Sequence, residues 1–90
     1  MNRAEINAYV EECAGIDLDE PVLLLDGLDE AFIGLTTDSS RAVYDVDKII
    51  KCLSKDMSEE AAWEYYEYNI ECAYIGENTP LYVKLVKYEN

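Results

Sequence analysis

The spacing of apolar and polar positions predicts three helices. Apolar residues recur at helical spacing in residues 3–14, 46–53 and 57–76. Asp45 and Ser58 are the predicted N-caps of the second and third helices, because their side chains can accept a hydrogen bond from a first-turn amide. Gly15 and Gly76 are predicted to end the first and third helices, since glycine readily adopts the left-handed conformation found there.

Four other segments have the apolar runs or the alternation typical of strands: residues 22–25, 31–35, 41–44 and 81–88. Asp26-Gly27 is a strong turn signal between the first two. In the last segment Leu81, Val83 and Leu85 alternate with Tyr82, Lys84 and Val86, and we expect the lysines of this strand to face solvent. Solvent-facing lysines are typical of a protected edge strand.

The predicted order of elements is α-β-β-β-α-α-β. Three successive short strands joined by tight turns predict an antiparallel meander, to which the last strand is added. We therefore expect an α+β fold, with a small antiparallel sheet of three to four strands and helices packed on one face. The sequence contains no internal repeat, low-complexity segment or flexible linker, so we expect residues 1–90 to form a single compact domain.

The third predicted helix carries a ridge of like charge. Four glutamates fall at similar angular positions and form what we call the acidic ridge: Glu60, Glu64, Glu67 and Glu71. Like charges four residues apart disfavour a helix by a few tenths of a kcal/mol per pair, and no Lys or Arg is interleaved with them. The ridge is either a solvated face of an acidic protein or a surface kept for a partner.

The charge balance of the whole chain narrows the classes of partner. Seven basic and twenty acidic residues give a net charge of −13. Direct binding to nucleic acid or to an anionic membrane requires positive charge, so both are disfavoured. A basic protein surface is favoured instead, including one that normally holds nucleic acid. Further acidic residues would extend the field of the ridge: Asp17, Asp19, Glu20, Asp29 and Glu30.

The start of the chain and its cysteines indicate a cytosolic protein. Residues 1–10 have neither a basic region nor an apolar core, so we expect no signal peptide. The longest apolar run, residues 22–25, is too short to span a bilayer. Cys13, Cys52 and Cys72 are odd in number, widely spaced and placed in predicted helices, which indicates reduced thiols.

The residue types present offer little catalytic chemistry. The chain has no His, the commonest general base, and Ser39-Ser40 has no neighbouring base. Paired carboxylates such as Asp26 and Asp45 could instead carry out acid–base catalysis. The acidic residues within 17–30 could bind a hard cation such as Ca²⁺ or Mg²⁺. The EF-hand pattern is missing and Asp26 fits a turn, so we expect no enzyme activity, metal or cofactor.

Polar and aromatic positions on the third helix give two further expectations. Asn69 falls on its apolar face, so we expect it to be buried and to bond a strand or loop carbonyl, near Thr79-Pro80. The eight tyrosines are predicted to lie mostly in the core. Tyr65 and Tyr68 are predicted to be exposed beside the acidic ridge, where tyrosine is well suited to an interface.

Four stretches of the chain share recognisable motifs: residues 24–35 with D-G-x-D-x-A, 42–50 with V-Y-D, 56–80 ending in G-E-x-T-P, and the strand that follows. Together these stretches resemble a family of small proteins from bacteriophage genomes and prophages. The resemblance covers about three quarters of the chain, and its last segment is the most specific. It implies a phage protein made in a bacterial host cytoplasm, and it carries over no catalytic residues.

Two non-enzymatic hypotheses follow, with an enzyme or metal protein as a third. The first is a phage-encoded inhibitor whose acidic ridge occupies a basic host nucleic-acid-binding machine, such as a CRISPR effector. Small acidic phage proteins are often inhibitors of this kind and some imitate the charge of DNA, which is an analogy of class. The second is a structural or regulatory adaptor, or a homodimer, that uses the tyrosines or the edge at residues 81–88.

Overall fold

The helices and strands form in nearly the predicted order. A computed structural model describes residues 2–14, 22–38, 40–73 and 78–86. The described helices are α1 (Arg3–Ala14), α2 (Val46–Leu53) and α3 (Glu59–Tyr66), and the strands are β1 (Phe32–Leu35), β2 (Ala42–Asp45) and β3 (Leu81–Val83). A 3-10 turn at Asp29–Ala31 precedes β1, and a π-helical turn at Glu67–Glu71 continues α3. This combination of helices with one small sheet confirms the α+β class.

Two side chains start helices where the sequence predicts. The Asp45 carboxylate accepts a hydrogen bond from the Asp47 amide at 2.9 Å, and the Ser58 hydroxyl accepts one from the Ala61 amide at 3.1 Å. Each cap satisfies an amide that the helix start leaves without a partner, which contributes about 1 kcal/mol. Asp45 is also the last residue of β2, so the same residue ends the strand and begins α2.

The predicted strand at residues 22–25 is not part of the sheet among the described residues. The Leu25 amide donates to the Tyr44 hydroxyl at 2.9 Å, and the Leu25 carbonyl accepts from the Arg3 guanidinium at 2.8 Å. Because side chains satisfy these two backbone groups, neither needs a partner on a neighbouring strand. The apolar side chains of Val22 and Leu24 still pack against the core. The turn at Gly27 is confirmed, with a φ of 78°.

The sheet is mixed, and the expectation of an antiparallel sheet is therefore wrong for one strand pair. β1 and β2 are antiparallel, with Phe32 opposite Tyr44. β3 runs parallel to β2, with Val43 opposite Leu81, and the strand order is β1-β2-β3. α2 and α3 lie between β2 and β3 in the chain, and they supply the long crossover that a parallel pair requires.

The last strand lies at the sheet edge as predicted, but it is shorter. It ends at Val83, and residues 84–86 continue without strand pairing. Tyr82 packs into the core against the rings of Tyr44 and Tyr66, whereas Leu85 is 46% exposed. The expected alternation is therefore wrong: Tyr82, predicted to lie on the face opposite Leu81 and Val83, packs against the core, and Leu85 is exposed because the ladder ends before it. Residues 87–88 lie outside the described part of the chain.

A row of aromatic rings runs through the core. Consecutive ring centroids lie 5.7 to 6.5 Å apart along Tyr9, Phe32, Tyr44, Tyr82, Tyr66 and Trp63. The contacts are mostly edge-to-face, the arrangement that aromatic pairs favour. The row connects α1, all three strands of the described sheet and α3, so the tyrosines hold the elements to one another.

Candidate protein-interaction site

The acidic ridge lies on the outer side of α3 and of the π turn. Ala62, Tyr66 and Ile70 point inward and are buried. All four ridge glutamates are exposed: Glu60, Glu64, Glu67 and Glu71. Within the described part of the chain, no Lys or Arg lies within ion-pair distance of any of them. The ridge therefore presents negative charge that this part of the chain does not compensate by direct pairing.

The π turn changes which side chains face the core. A π turn closes hydrogen bonds over five residues instead of four, so the chain rotates less per residue than in an α-helix. Ile70 faces inward, while Asn69 is exposed and donates from its side chain to the Tyr65 carbonyl at 3.2 Å. The expectation that Asn69 is buried and bonds near Thr79-Pro80 is wrong, because it assumed an unbroken α-helical period. The predicted helix end at Gly76 lies outside the described residues.

The negative charge of the ridge affects the ionisation of Tyr66, a buried residue at the edge of the core. Burial of the phenol, together with the nearby charge of Glu71, the Tyr82 hydroxyl and the charge of Glu67, raises the pKa of Tyr66 to about 12. Both burial and adjacent negative charge disfavour the phenolate. Glu67 and Glu71 therefore act on the side chain that anchors α3, while their own carboxylates remain exposed.

Two tyrosines beside the ridge are exposed, as the sequence predicts. Tyr65 is 44% exposed and Tyr68 is 78% exposed. A large ring left in solvent keeps apolar area available for burial against a partner. The positions of these rings are thus compatible with an interface, whereas their role in binding stays a prediction.

The acidic residues expected to extend the field have different surroundings. The Asp29 carboxylate lies 3.0 Å from the Arg3 guanidinium, and the Glu30 carboxylate lies 3.4 Å from the Lys55 ammonium. A cation next to each carboxylate reduces the field that it projects into solvent. The remaining three predicted residues lie outside the described chain: Asp17, Asp19 and Glu20.

A surface depression that the sequence did not predict lies on the Tyr65 side of α3. We call it the apolar cleft; its volume is about 330 Å³ and its apolar lining consists of Leu25, Leu28, Leu53, Met57, Tyr65 and Ile70. These residues come from the loop before the 3-10 turn, from α2, from the α2–α3 connection and from the α3 region. No periodicity could have predicted it, because segments distant in sequence form its walls.

A second groove lies between α2 and α3 on the Trp63 side. It has a volume of about 440 Å³ and is lined in part by Ile50, Lys51 and Trp63. The Lys84 ammonium lies 5.5 Å from the centroid of the Trp63 ring, within cation–π range. Lysines therefore border α3 on this side, together with the carboxylates of Asp47 and Glu59.

Comparisons with known proteins identified no relative of this chain. No family model, no curated protein and no solved structure matches the chain. Across residues 2–14, 22–38, 40–73 and 78–86, no helix is long and apolar enough to cross a membrane. The same residues contain no group of three or more Cys, Asp or Glu side chains placed to hold a metal ion.

Proposed function

We propose that the protein is a non-enzymatic inhibitor whose acidic ridge occupies a basic surface of a host nucleic-acid-binding machine. The observation that carries the proposal is the row of exposed glutamates without a cationic partner in the described chain. The bacteriophage context implied by the resemblance directs the proposal to anti-defence activity, for example against a CRISPR effector in the bacterial cytoplasm.

The geometry of the ridge suits mimicry of nucleic-acid charge. Glu60 and Glu64, four residues apart in α3, are separated by about 6 Å along the helix axis, a spacing similar to that of successive phosphates. A net charge of −13 would steer the protein toward a positive groove and make its association sensitive to salt. The exposed rings of Tyr65 and Tyr68 would add apolar contact area beside the charged contacts.

The proposal is tested by reversing charge on the ridge. We expect Glu64→Lys/Glu67→Lys to abolish capture of a basic nucleic-acid-binding complex from bacterial lysate at low salt, with the captured proteins identified by mass spectrometry. The matched control is Glu11→Lys/Glu12→Lys on α1, which makes the same change in net charge at exposed positions. Circular dichroism checks that both variants fold.

Two outcomes would contradict the proposal. Capture by the ridge variant at the parental level would show that the ridge makes no contact. Equal loss in the α1 variant would show that net charge, rather than the ridge, controls binding. The expected result is that, at low salt, only the ridge variant loses capture. The parent protein should lose capture when the salt concentration is raised.

A tyrosine-mediated adaptor or homodimer is the second candidate. It is favoured by the 78% exposure of Tyr68 and by the exposed pair Leu85 and Val86. This function predicts association that persists at high salt and that is lost on Tyr65→Ala or Tyr68→Ala. Light scattering after gel filtration distinguishes a homodimer from capture of another protein.

A further inference from the structure

The apolar cleft is large enough to admit a hydrophobic side chain. Its volume of about 330 Å³ lies within the range of small binding pockets. Leu28 and Ile70 are buried in its floor, whereas the Tyr65 ring on its wall is 44% exposed. An exposed ring beside a concave apolar surface leaves area that only an incoming group can bury.

An acidic hollow adjoins the apolar cleft. The hollow has a volume of about 630 Å³, shares Gly27, Cys52 and Asp56 with the cleft, and also contains Glu30. Asp56 is exposed and forms no ion pair among the described residues.

Carboxylates outnumber cations around the two depressions. Asp26 lines the cleft with a fully exposed side chain, and Asp29 lines the hollow. Among the described residues, the ion pairs of these two carboxylates and of Glu30 and Asp56 involve two cations, Arg3 and Lys55, which pair with three of the four. The surroundings of the cleft therefore retain net negative charge.

We infer that the apolar cleft and the acidic hollow together bind a protein segment in which a hydrophobic residue is flanked by Lys or Arg. The hydrophobic side chain enters the cleft beside Tyr65, and a neighbouring cation lies at Asp56. The inference rests on the proposed function and names the chemistry of the partner segment. Charge complementarity selects a basic segment, and the apolar lining selects its anchor residue.

Two synthetic peptides test the inference on the full chain. One is acetyl-Gly-Lys-Lys-Leu-Lys-Lys-Gly-amide, and the other has Ser in place of Leu, so that both carry the same charge. Each is titrated at low salt into isotope-labelled protein and followed by NMR. We expect the Leu peptide to shift the methyl signals of Met57 and Leu25 and to bind at least about tenfold more tightly, because burial of one leucine supplies that difference.

Substitutions test whether the leucine side chain of the peptide binds in the apolar cleft. Tyr65→Ala removes a wall of the cleft and is expected to abolish the preference for the Leu peptide. Tyr68→Ala is the matched control, because this more exposed tyrosine does not line the cleft, and it is expected to keep the preference. Glu64→Lys/Glu67→Lys is expected to weaken both peptides while keeping their ratio. Amide spectra confirm that each variant folds.

The outcomes separate this inference from the proposed function. Equal affinity for the two peptides, without methyl shifts in the cleft, would overturn the inference and leave the acidic ridge in place. Binding of neither peptide at low salt would also overturn the inference, whereas the proposed function is decided by the capture experiment. Methyl shifts that depend on protein concentration without peptide would assign the cleft to a second copy of the chain, and would also overturn the inference.

Discussion

At the scale of single residues, Tyr66 connects the ridge to the core. Its ring contacts Trp63 on one side and Tyr82 on the other, and its hydroxyl lies in the field of Glu71 and Glu67. Burial and negative charge both favour the neutral phenol in the folded state. The titration of this one group therefore reports on the packing and on the charge of α3.

We expect the Tyr66 ring to titrate with a pKa of about 12, against an ordinary value of 10.0. Glu71→Gln should lower this pKa, because it removes a negative charge that opposes the phenolate. Glu60→Gln is the matched control, since Glu60 does not contribute to the shift. NMR of the tyrosine ring carbons over alkaline pH measures both values, and an unchanged pKa in Glu71→Gln would contradict the expected field.

The same pKa shift predicts the alkaline stability of the fold. A folded-state pKa above the unfolded value means that the stabilisation is fully present below pH 10 and is lost as the pH rises toward 12. Tyr44 and Tyr82 have pKa values raised in the same direction by burial. In Tyr66→Phe, the free energy of unfolding should therefore decrease less between pH 10 and 12 than it does in the parent protein. Urea denaturation at several pH values measures this difference.

At the scale of elements, residues 22–25 are held by side chains instead of by a sheet. Tyr44→Phe removes the hydroxyl that accepts from the Leu25 amide, and it leaves that amide without its partner. We expect the free energy of unfolding to fall by about 1–3 kcal/mol and the Leu25 amide to exchange faster with solvent. Tyr82→Phe is the control, because the Tyr82 hydroxyl makes no hydrogen bond within the described chain, and it should cost much less.

Within α3, the ridge is expected to reduce helix stability. Glu64→Lys replaces a repulsive pair with Glu60 by an attractive one in the favourable orientation. We expect the free energy of unfolding to rise by about 0.5–1 kcal/mol on thermal or urea denaturation. A variant that is more stable but binds its partner less would show that the ridge is kept for binding. A loss of stability would contradict the repulsion between ridge glutamates.

At the scale of the whole molecule, net charge should make folding and binding respond to salt in opposite ways. A charge of −13 on ninety residues disfavours the compact state through self-repulsion. Salt reduces the Debye length to about 10 Å at 0.1 M, so we expect Tm to rise with added NaCl while partner binding weakens. Calorimetry and binding assays over one NaCl series check both signs. A Tm that falls with salt would contradict the expected self-repulsion.

Local chemistry in the sequence determined the positions of most elements. The caps at Asp45 and Ser58 and the turn at Gly27 are decided by a side chain and its nearest backbone, so they could be predicted without the fold. Helical periodicity likewise predicted the exposure of Tyr65 and Tyr68. The −13 charge is a property of composition alone, and the expectation of a basic partner rests on it.

Only the tertiary structure decided which of those elements pair and where surfaces meet. Leu25 took its hydrogen bonds from Tyr44 and Arg3, residues distant in sequence, so an apolar run became a half-buried loop. The parallel pairing of β3 followed from the path through α2 and α3, and the π turn moved Asn69 outward. The apolar cleft exists because several segments converge beside Tyr65. Such features depend on long-range packing, which overrides local preference wherever it satisfies more polar groups and buries more apolar area.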